Sequence, residues 1–224
     1  MRLLAIETSG ESCSAALLCG SDLTQTLERA PRRHGELILD MMARLLAEAG
    51  LTLSDLDALA FGRGPGSFTG VRIACAVVQG AAFGAGLPVI GVSTLAALAQ
   101  GHHRETGHGR ILSALDARMG EVYWGCHRVT GAGLAELVGE ERVAAPSEVP
   151  MPQDGGWHGV GSGFAAYESE LRGALGTALA GLDPTRACEA RDVAALAASA
   201  WARGEALPPE LALPVYLRDR VTAR

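Results

Sequence analysis

The stretch Gly62-Arg63-Gly64-Pro65-Gly66-Ser67-Phe68-Thr69-Gly70-Val71-Arg72 constrains the fold of this chain more than any other. Apolar Leu59, Ala60 and Phe61 lead into it as the end of a strand, and an apolar run over 73–85 follows it as a helix. Gly64, Pro65 and Gly66 can continue neither element. Ser67 or Thr69 can then cap the helix by accepting a bond from a free N–H of its first turn. A strand, a glycine turn and a helix aim unpaired N–H groups and the positive end of the helix dipole at one spot, where an anion can sit. Gly64, Gly66, Ser67, Thr69 and Arg72 are therefore candidate anion-binding residues. Arg72 opposes the dipole by about 0.3–1 kcal/mol, so it calls for an anionic partner: a phosphate, a carboxylate of another subunit, or an Asp or Glu of this chain.

Composition narrows the chemistry. A hydrophobic fraction of 48% with 20% charged residues, over 224 residues, describes a globular chain with a real core. The net charge of −6 disfavours a nucleic-acid binder acting alone, although Arg32-Arg33 offers a local basic cluster. All 19 basic residues are arginine. Without lysine there is no Walker-type loop, no Schiff-base chemistry and no lysine base. Five cysteines without CxxC spacing suggest neither a disulfide framework nor a thiolate zinc site, which fits a reducing cytoplasm. Glu7 follows the N-terminal apolar residues too soon for a signal peptide. Residues 73–101 carry no charge, but Pro88 and the glycines divide them into helix, turn and strand, so no membrane span is expected.

In chain order, 2–7, 13–19 and 23–29 alternate as strands of an antiparallel meander. Residues 33–49 have helical periodicity ending at Gly50. Leu37, Ile38, Leu39, Met41, Met42, Leu45, Leu46 and Ala49 cover an arc of about 200° on that helix, whereas one sheet needs about 100°. The surplus predicts a second contact, with a neighbouring helix of the chain or with a partner subunit. After the strand 57–61 and the glycine turn, the helix 68–85 is apolar nearly all round and should be buried nearly all round. Its least apolar stripe is Arg72, Ala76, Gln79, Gly80 and Phe83, and the small residues Ala76, Gly80 and Gly84 at four-residue spacing permit another helix to approach closely. A strand over 89–92 and a helix over 93–100 complete the first half.

Residues 102–110 contain His102, His103 and His108 without an i, i+4 pair or a supporting carboxylate pattern, so they read as a solvated linker and no metal is assigned. Beyond it, 111–116 and 121–128 form a hairpin about Arg118-Met119-Gly120, followed by a strand over 136–143. Three prolines mark an irregular connection. Residues 156–163 suggest a short strand and glycine turn, 164–175 and 192–203 helices, and 208–224 an extended tail. The expected domains are 1–101, the linker 102–110, a reduced α/β lobe 111–207 and the tail.

Three strands, helix, strand, helix, strand, helix is the order of one ribonuclease H-like lobe of the actin, sugar kinase and Hsp70 superfamily, an α/β class. Leu4-Ala5-Ile6-Glu7-Thr8-Ser9, Gly62 through Ile73, Gly91-Val92-Ser93-Thr94-Leu95, Asp116-Ala117-Arg118 before Glu121-Val122-Tyr123, and Pro214-Val215-Tyr216-Leu217-Arg218 resemble the TsaB (YeaZ) family. The resemblance runs along almost the whole chain, and Gly-Pro-Gly-Ser-Phe-Thr-Gly is its most specific piece. It implies two lobes with the second reduced, and a part in forming threonylcarbamoyladenosine beside the anticodon of tRNAs that read codons starting with A. In that family the paralogue TsaD transfers the group, TsaB binds TsaD, and the ATPase TsaE joins them.

ATP and metal are thus expected on partner subunits, and tRNA contact is expected to be indirect. TsaD proteins hold metal through an HxxxH motif, and the matching positions here are Thr94 and Leu98, which are unsuited to ligation. The expectation is a cytoplasmic, non-catalytic subunit with a glycoprotease-like fold. Its partner interface would comprise Leu37, Ile38, Met41, Met42, Leu45, Arg72, Ala76, Gln79, Gly80 and Phe83, shared by a TsaD heterodimer and by a homodimer when TsaD is absent. Glu7, one carboxylate without a metal partner, reads as structural. The rival expectation is an independent metallopeptidase-like enzyme or ATP-dependent transferase of the same fold, with the glycine turn holding phosphate.

Overall fold

The strand Arg2–Glu7 (β1) is the centre of a five-stranded sheet because every residue after Arg2 is buried and apolar until Glu7. Ser12–Cys19 (β2) and Asp22–Arg29 (β3) extend it on one side as an antiparallel meander, with Leu4 opposite Leu17. Ala58–Gly62 (β4) and Val89–Val92 (β5) add in parallel on the other side, giving the order β3-β2-β1-β4-β5. The computed structural model describes residues 1–218; residues 219–224 of the expected tail lie outside the described part.

Side-chain alternation along these strands builds two cores. Leu4, Ile6, Leu59, Phe61 and Val89 face the helices His34–Glu48 (α1) and Phe68–Ala85 (α2). The broad apolar arc of α1 belongs to this core: Ile38, Met41, Met42, Leu45 and Leu46 are buried, and Leu37 packs partly against them. The second surface implied by the arc is α2 of the same chain, where Ile73 lies against Gly35. Leu37, Ile38, Met41, Met42 and Leu45 are therefore core residues, and their assignment to a partner interface is corrected. Of the arc, Leu39, at 57% exposure, and the terminal Ala49 point outward.

The helix Thr94–Thr106 (α3) begins at a cap, with Ser93 Oγ accepting from the N–H groups of Leu95 and Ala96 at 3.1 and 3.3 Å. It runs past Gln100 through His102, which is buried, so the expected solvated linker is in its first half the end of a helix. A second sheet follows. Arg110–Arg118 (β6), Glu121–Val129 (β7) and Ala135–Ala144 (β8) are antiparallel, and Trp157–Val160 (β9) and Leu179–Asp183 (β10) are parallel additions, in the order β10-β9-β6-β7-β8. The tight turn joins β6 to β7 through Arg118 and Met119, both at positive φ. One helix expected over 164–175 is two, Ser162–Ala166 (α4) and Glu168–Leu175 (α5), because Tyr167 between them leaves the helical region at φ −135°.

Ala190–Ala202 (α6) packs its alanines against Leu3, Ala5, Ala58, Ala60, Ile90 and Val92, the second face of the first sheet. Small residues on both sides let helix and sheet approach closely. The described residues thus divide into Met1–Ala97 with Cys188–Pro214, and Leu98–Ala187 with 215–218. The expected lobe 111–207 is corrected accordingly, since its last helix returns to the first sheet.

Candidate functional site

The glycine turn is built by close backbone packing against the chain after β1. Ser67 N–H donates to Ser9 O at 2.8 Å, Thr8 Oγ1 donates to Gly70 O at 2.7 Å, and Thr94 N–H donates to Gly64 O at 3.0 Å. A Cβ on Gly66 would lie 2.8 Å from Ser9 O, and one on Gly70 would lie 2.0 Å from Thr8 O. Glycine is required at both positions because another strand of backbone occupies the side-chain space. Ser67 caps α2 by accepting from Gly70 N–H at 3.4 Å. Two N–H groups of the expected anion cradle, those of Ser67 and Gly70, are therefore engaged inside the chain. Thr69 is exposed, and the Arg72 guanidinium lies 3.6 Å over the ring of Phe68, a cation–π contact.

The turn launches α2 with one face inward and one outward. Val71, Ala74, Cys75, Val78 and Ala82 are buried in the core. Arg72, Ala76, Gly80 and Phe83 are exposed and Gln79 is half-buried, so the stripe expected from spacing forms one outward face. The expectation of nearly complete burial is corrected by that face: Phe83 is 78% and Phe68 52% exposed. Helix α2 has the length and apolar composition to cross a bilayer, but a third of it is buried and its inner side belongs to the first core.

The segment 207–213 runs beside this helix. Cys75 Sγ donates to Ala212 O at 2.6 Å and Gln79 Nε2 to Glu210 O at 3.5 Å. Phe83, Leu87, Pro88, Leu207, Pro208 and Pro209 line an open groove at its end. Sequence reasoning missed Phe68 and Leu207 as members of this surface. Phe68 has the signal of a large apolar residue in the first turn of a helix, whereas Leu207 reaches the surface only through pairing with Val89.

Behind the turn, Glu7 is fully buried. Its Oε1 accepts from Ser9 N–H, and Cys188 Sγ donates to Oε2 at 3.5 Å. Burial pushes its carboxyl above the ordinary carboxylate range, and the bonds from Ser9 and Cys188 pull it part of the way back. A Cβ on Gly62 would fall 1.8 Å from Glu7 Oε2, so the carboxylate fills the space that glycine leaves. Glu7 is thus enclosed by Gly62 and by its partners Ser9 and Cys188. The TsaD-type metal motif finds no ligands: Thr94 Oγ1 donates to Ser9 Oγ at 3.2 Å, and Leu98 packs with Ala99, Ile111, Ala135 and Val160. Those two positions do not fit a metal.

The second unit gathers what the sequence had separated. His102 and His108, read as parts of a linker, lie with His158 of β9 in one cluster. Burial holds the imidazoles of His102 and His158 below the ordinary histidine range. No spacing rule reaches a partner on a strand more than forty residues further on.

Two mixed sheets, each with three antiparallel strands followed by two parallel ones, define the ribonuclease H-like α/β class of the actin superfamily. Within it, residues 27–166 match the family model described as TsaD, tRNA N6-adenosine threonylcarbamoyltransferase. The Escherichia coli K12 protein named tRNA threonylcarbamoyladenosine biosynthesis protein TsaB is 43% identical over 224 residues, covering 99% of this chain and 96% of that one. A Haemophilus influenzae protein of the same name is 43% identical over 177 residues, 75% of this chain and 74% of that one. The solved structure of YeaZ from Pseudomonas aeruginosa superposes with a TM-score of 0.90 at 47% identity, covering 96% of this chain and 99% of that one. Another solved Pseudomonas aeruginosa structure, described as an uncharacterized protein with similarity to peptidase YeaZ, gives 0.91 at 47%, covering 97% and 99%. The chain belongs to the TsaB (YeaZ) family.

Proposed function

We propose that this chain takes part in threonylcarbamoyladenosine formation on tRNAs reading ANN codons, as a non-catalytic subunit that holds the transferase TsaD. Membership of the family supports the pathway. The outward face of α2 carries the rest of the reading: an 18-residue apolar helix presents Phe68, Ala76, Gly80 and Phe83 to solvent, with a groove beside Phe83. Small residues at its centre admit a partner helix, and covering an exposed phenylalanine contributes about 1.5–3 kcal/mol. When TsaD is absent, a second copy of the chain uses the same face. TsaE joins the complex, its ATP and the transferase metal belong to the partners, and tRNA is met through the assembly in the cytoplasm. Thr94 and Leu98 in place of metal ligands favour a non-catalytic role over the peptidase suggested by one relative's description.

Light scattering on a mixture of this protein and its TsaD tests the reading, with a 1:1 species expected at micromolar concentration. Phe83→Asp and Gly80→Leu are expected to weaken association at least about tenfold, or about 1.4 kcal/mol. A Cβ on Gly80 meets nothing within 4 Å, so the second change leaves the monomer intact. Components that stay separate would overturn the reading, as would turnover of peptides by the isolated chain. Reconstituted tRNA modification that runs at full rate without this protein would remove it from the pathway.

A further inference from the structure

Three imidazoles converge in the second unit from three places. His102 is on the last turns of α3, His108 in the short loop after it, and His158 on β9. One ligand nitrogen from each lies within 4.8 Å of the other two. His108 Nδ1 and His102 Nε2 are 3.3 Å apart. Two nitrogens on one tetrahedral ion, each about 2.0–2.1 Å from it, stand about 3.3 Å from each other.

A hydrogen bond between two neutral rings would account for that pair alone. It leaves one observation without a reason: His102 is 3% exposed, and its Nδ1 is buried without a hydrogen-bond partner, 3.7 Å from Asp183 Oδ2. The rings of His108 and His158 stack face to face with centroids 3.5 Å apart, so ligation by both requires one ring to turn out of the stack. A metal on Nε2 of His102 fixes the proton on Nδ1, opposite a carboxylate, which is how ligating histidines are commonly oriented.

Asp183 is itself held by Arg186 at 3.0 Å, and Arg186 by Glu105 at 2.6 Å. The loop is fixed at its start, where Thr106 Oγ1 donates to His102 O at 2.7 Å and accepts from His108 N–H at 3.2 Å. Gly107 and Gly109 flank His108, leaving its backbone the latitude to open the stacked pair. Gly181 beside His158 keeps the ring's place, since a Cβ there would lie 2.9 Å from His158 Nδ1. A donor set of nitrogens suits zinc and its neighbours and is unsuited to magnesium or calcium.

We propose that His102, His108 and His158 bind one divalent transition-metal ion of the zinc class, with water in the fourth position and Asp183 orienting His102. The ion ties the end of α3 and its loop to β9. The site is separate from the Thr94 and Leu98 positions and does not depend on the function proposed above.

The full chain, freed of any affinity tag and treated with chelator, is titrated calorimetrically with zinc, and Co2+ is added in parallel as a spectroscopic probe. One zinc per chain is expected, with Co2+ absorption of tetrahedral intensity and no thiolate charge-transfer band. His108→Gln and His158→Gln are each expected to weaken zinc binding at least about tenfold, and Asp183→Asn by about 10–100-fold. Cys126→Ser, which removes the half-buried thiol of β7, should leave binding unchanged. Absence of stoichiometric zinc, or binding indifferent to the two histidine changes, overturns the proposal. If those variants do not fold by circular dichroism, the Co2+ spectrum of the unaltered chain decides, and a thiolate band or octahedral intensity counts against the site.

Discussion

The two sheets share one strand order and fill it differently. Three antiparallel strands followed by two parallel ones describe both β3-β2-β1-β4-β5 and β8-β7-β6-β9-β10. In the first unit the crossovers are long: α1 has 15 residues and α2 has 18. In the second, only a 3-10 turn at Pro146–Glu148 stands where α1 would be, and α4 and α5 have 5 and 8 residues. Fewer helices mean less side-chain area over the sheet, and rings make up the difference. Trp124, Trp157 and Phe164 are buried there, with Trp124 and Phe164 centroids 6.1 Å apart. Aromatic residues bring large apolar area from few positions. The first unit has the converse condition, a helix broader in apolar surface than its sheet can cover, and the remainder faces outward on α2.

The sharpest way to break this comparison is to remove a ring. Trp124→Ala leaves a void that the short helices cannot close, and a loss of about 3–5 kcal/mol is expected in denaturant unfolding. A loss below about 1 kcal/mol would show that rings do not compensate for the missing crossover. In the first unit the matching vulnerability is backbone contact. Gly70→Ala puts a methyl 2.0 Å from Thr8 O, where no flexible side chain can yield, and about 3 kcal/mol is expected to be lost. Retention of wild-type stability would mean that the turn is not held against Thr8.

The units also bury titrating groups of opposite sign. Burial holds His127 down to about 4, and its Nε2 has no hydrogen-bond partner. Below about 6.5 the unfolded chain takes up a proton that the native chain refuses until about 4, so stability falls as pH falls through that window. About 2 kcal/mol should be lost from this group by pH 5. His127→Leu should flatten that acid limb in chelator-containing buffer; an unchanged limb would place the titration elsewhere. Glu7 acts the other way. Its carboxyl is raised, the native chain keeps the proton longer, and its contribution declines as pH rises through the folded value.

Much of the first unit was legible in the sequence because its signals are local. The meander follows alternation between turns, and the strand, glycine turn and helix follow the order of residue types. The arc of α1 was read correctly as too wide for one sheet, but periodicity counts apolar degrees without naming what covers them, and α2 of the same chain does. The missed features depend on tertiary partners. Leu179–Asp183 has the unremarkable sequence LAGLD, and it becomes a strand only because β9 offers it an edge. The polar end of α3 looked like a linker because Gly101 and the histidines lower helix propensity, yet His102 is buried. His158 joined the other two histidines through the register of β9 with β6, where it pairs with Ile111. The outward face of α2 was visible as a stripe because the spacing of Ala76, Gly80 and Phe83 is itself local.

The smallest effect concerns how α2 is started. Ser67 accepts from Gly70 N–H at 3.4 Å, long for such a bond, and Ser67 N–H is held independently by Ser9 O at 2.8 Å. The side chain and the backbone of one residue thus share the work of fixing the helix start. Ser67→Ala removes only the first of these, so the loss should fall at the low end for a cap, about 0.5 kcal/mol, against about 1 kcal/mol for an ordinary serine cap. Ser93 offers the comparison within the same unit, since its Oγ accepts two N–H groups at 3.1 and 3.3 Å at the start of α3. Ser93→Ala should cost more than Ser67→Ala under the same conditions. The reverse order would show that the cap, rather than the backbone clasp between the glycine turn and Ser9, aims α2 and its exposed face.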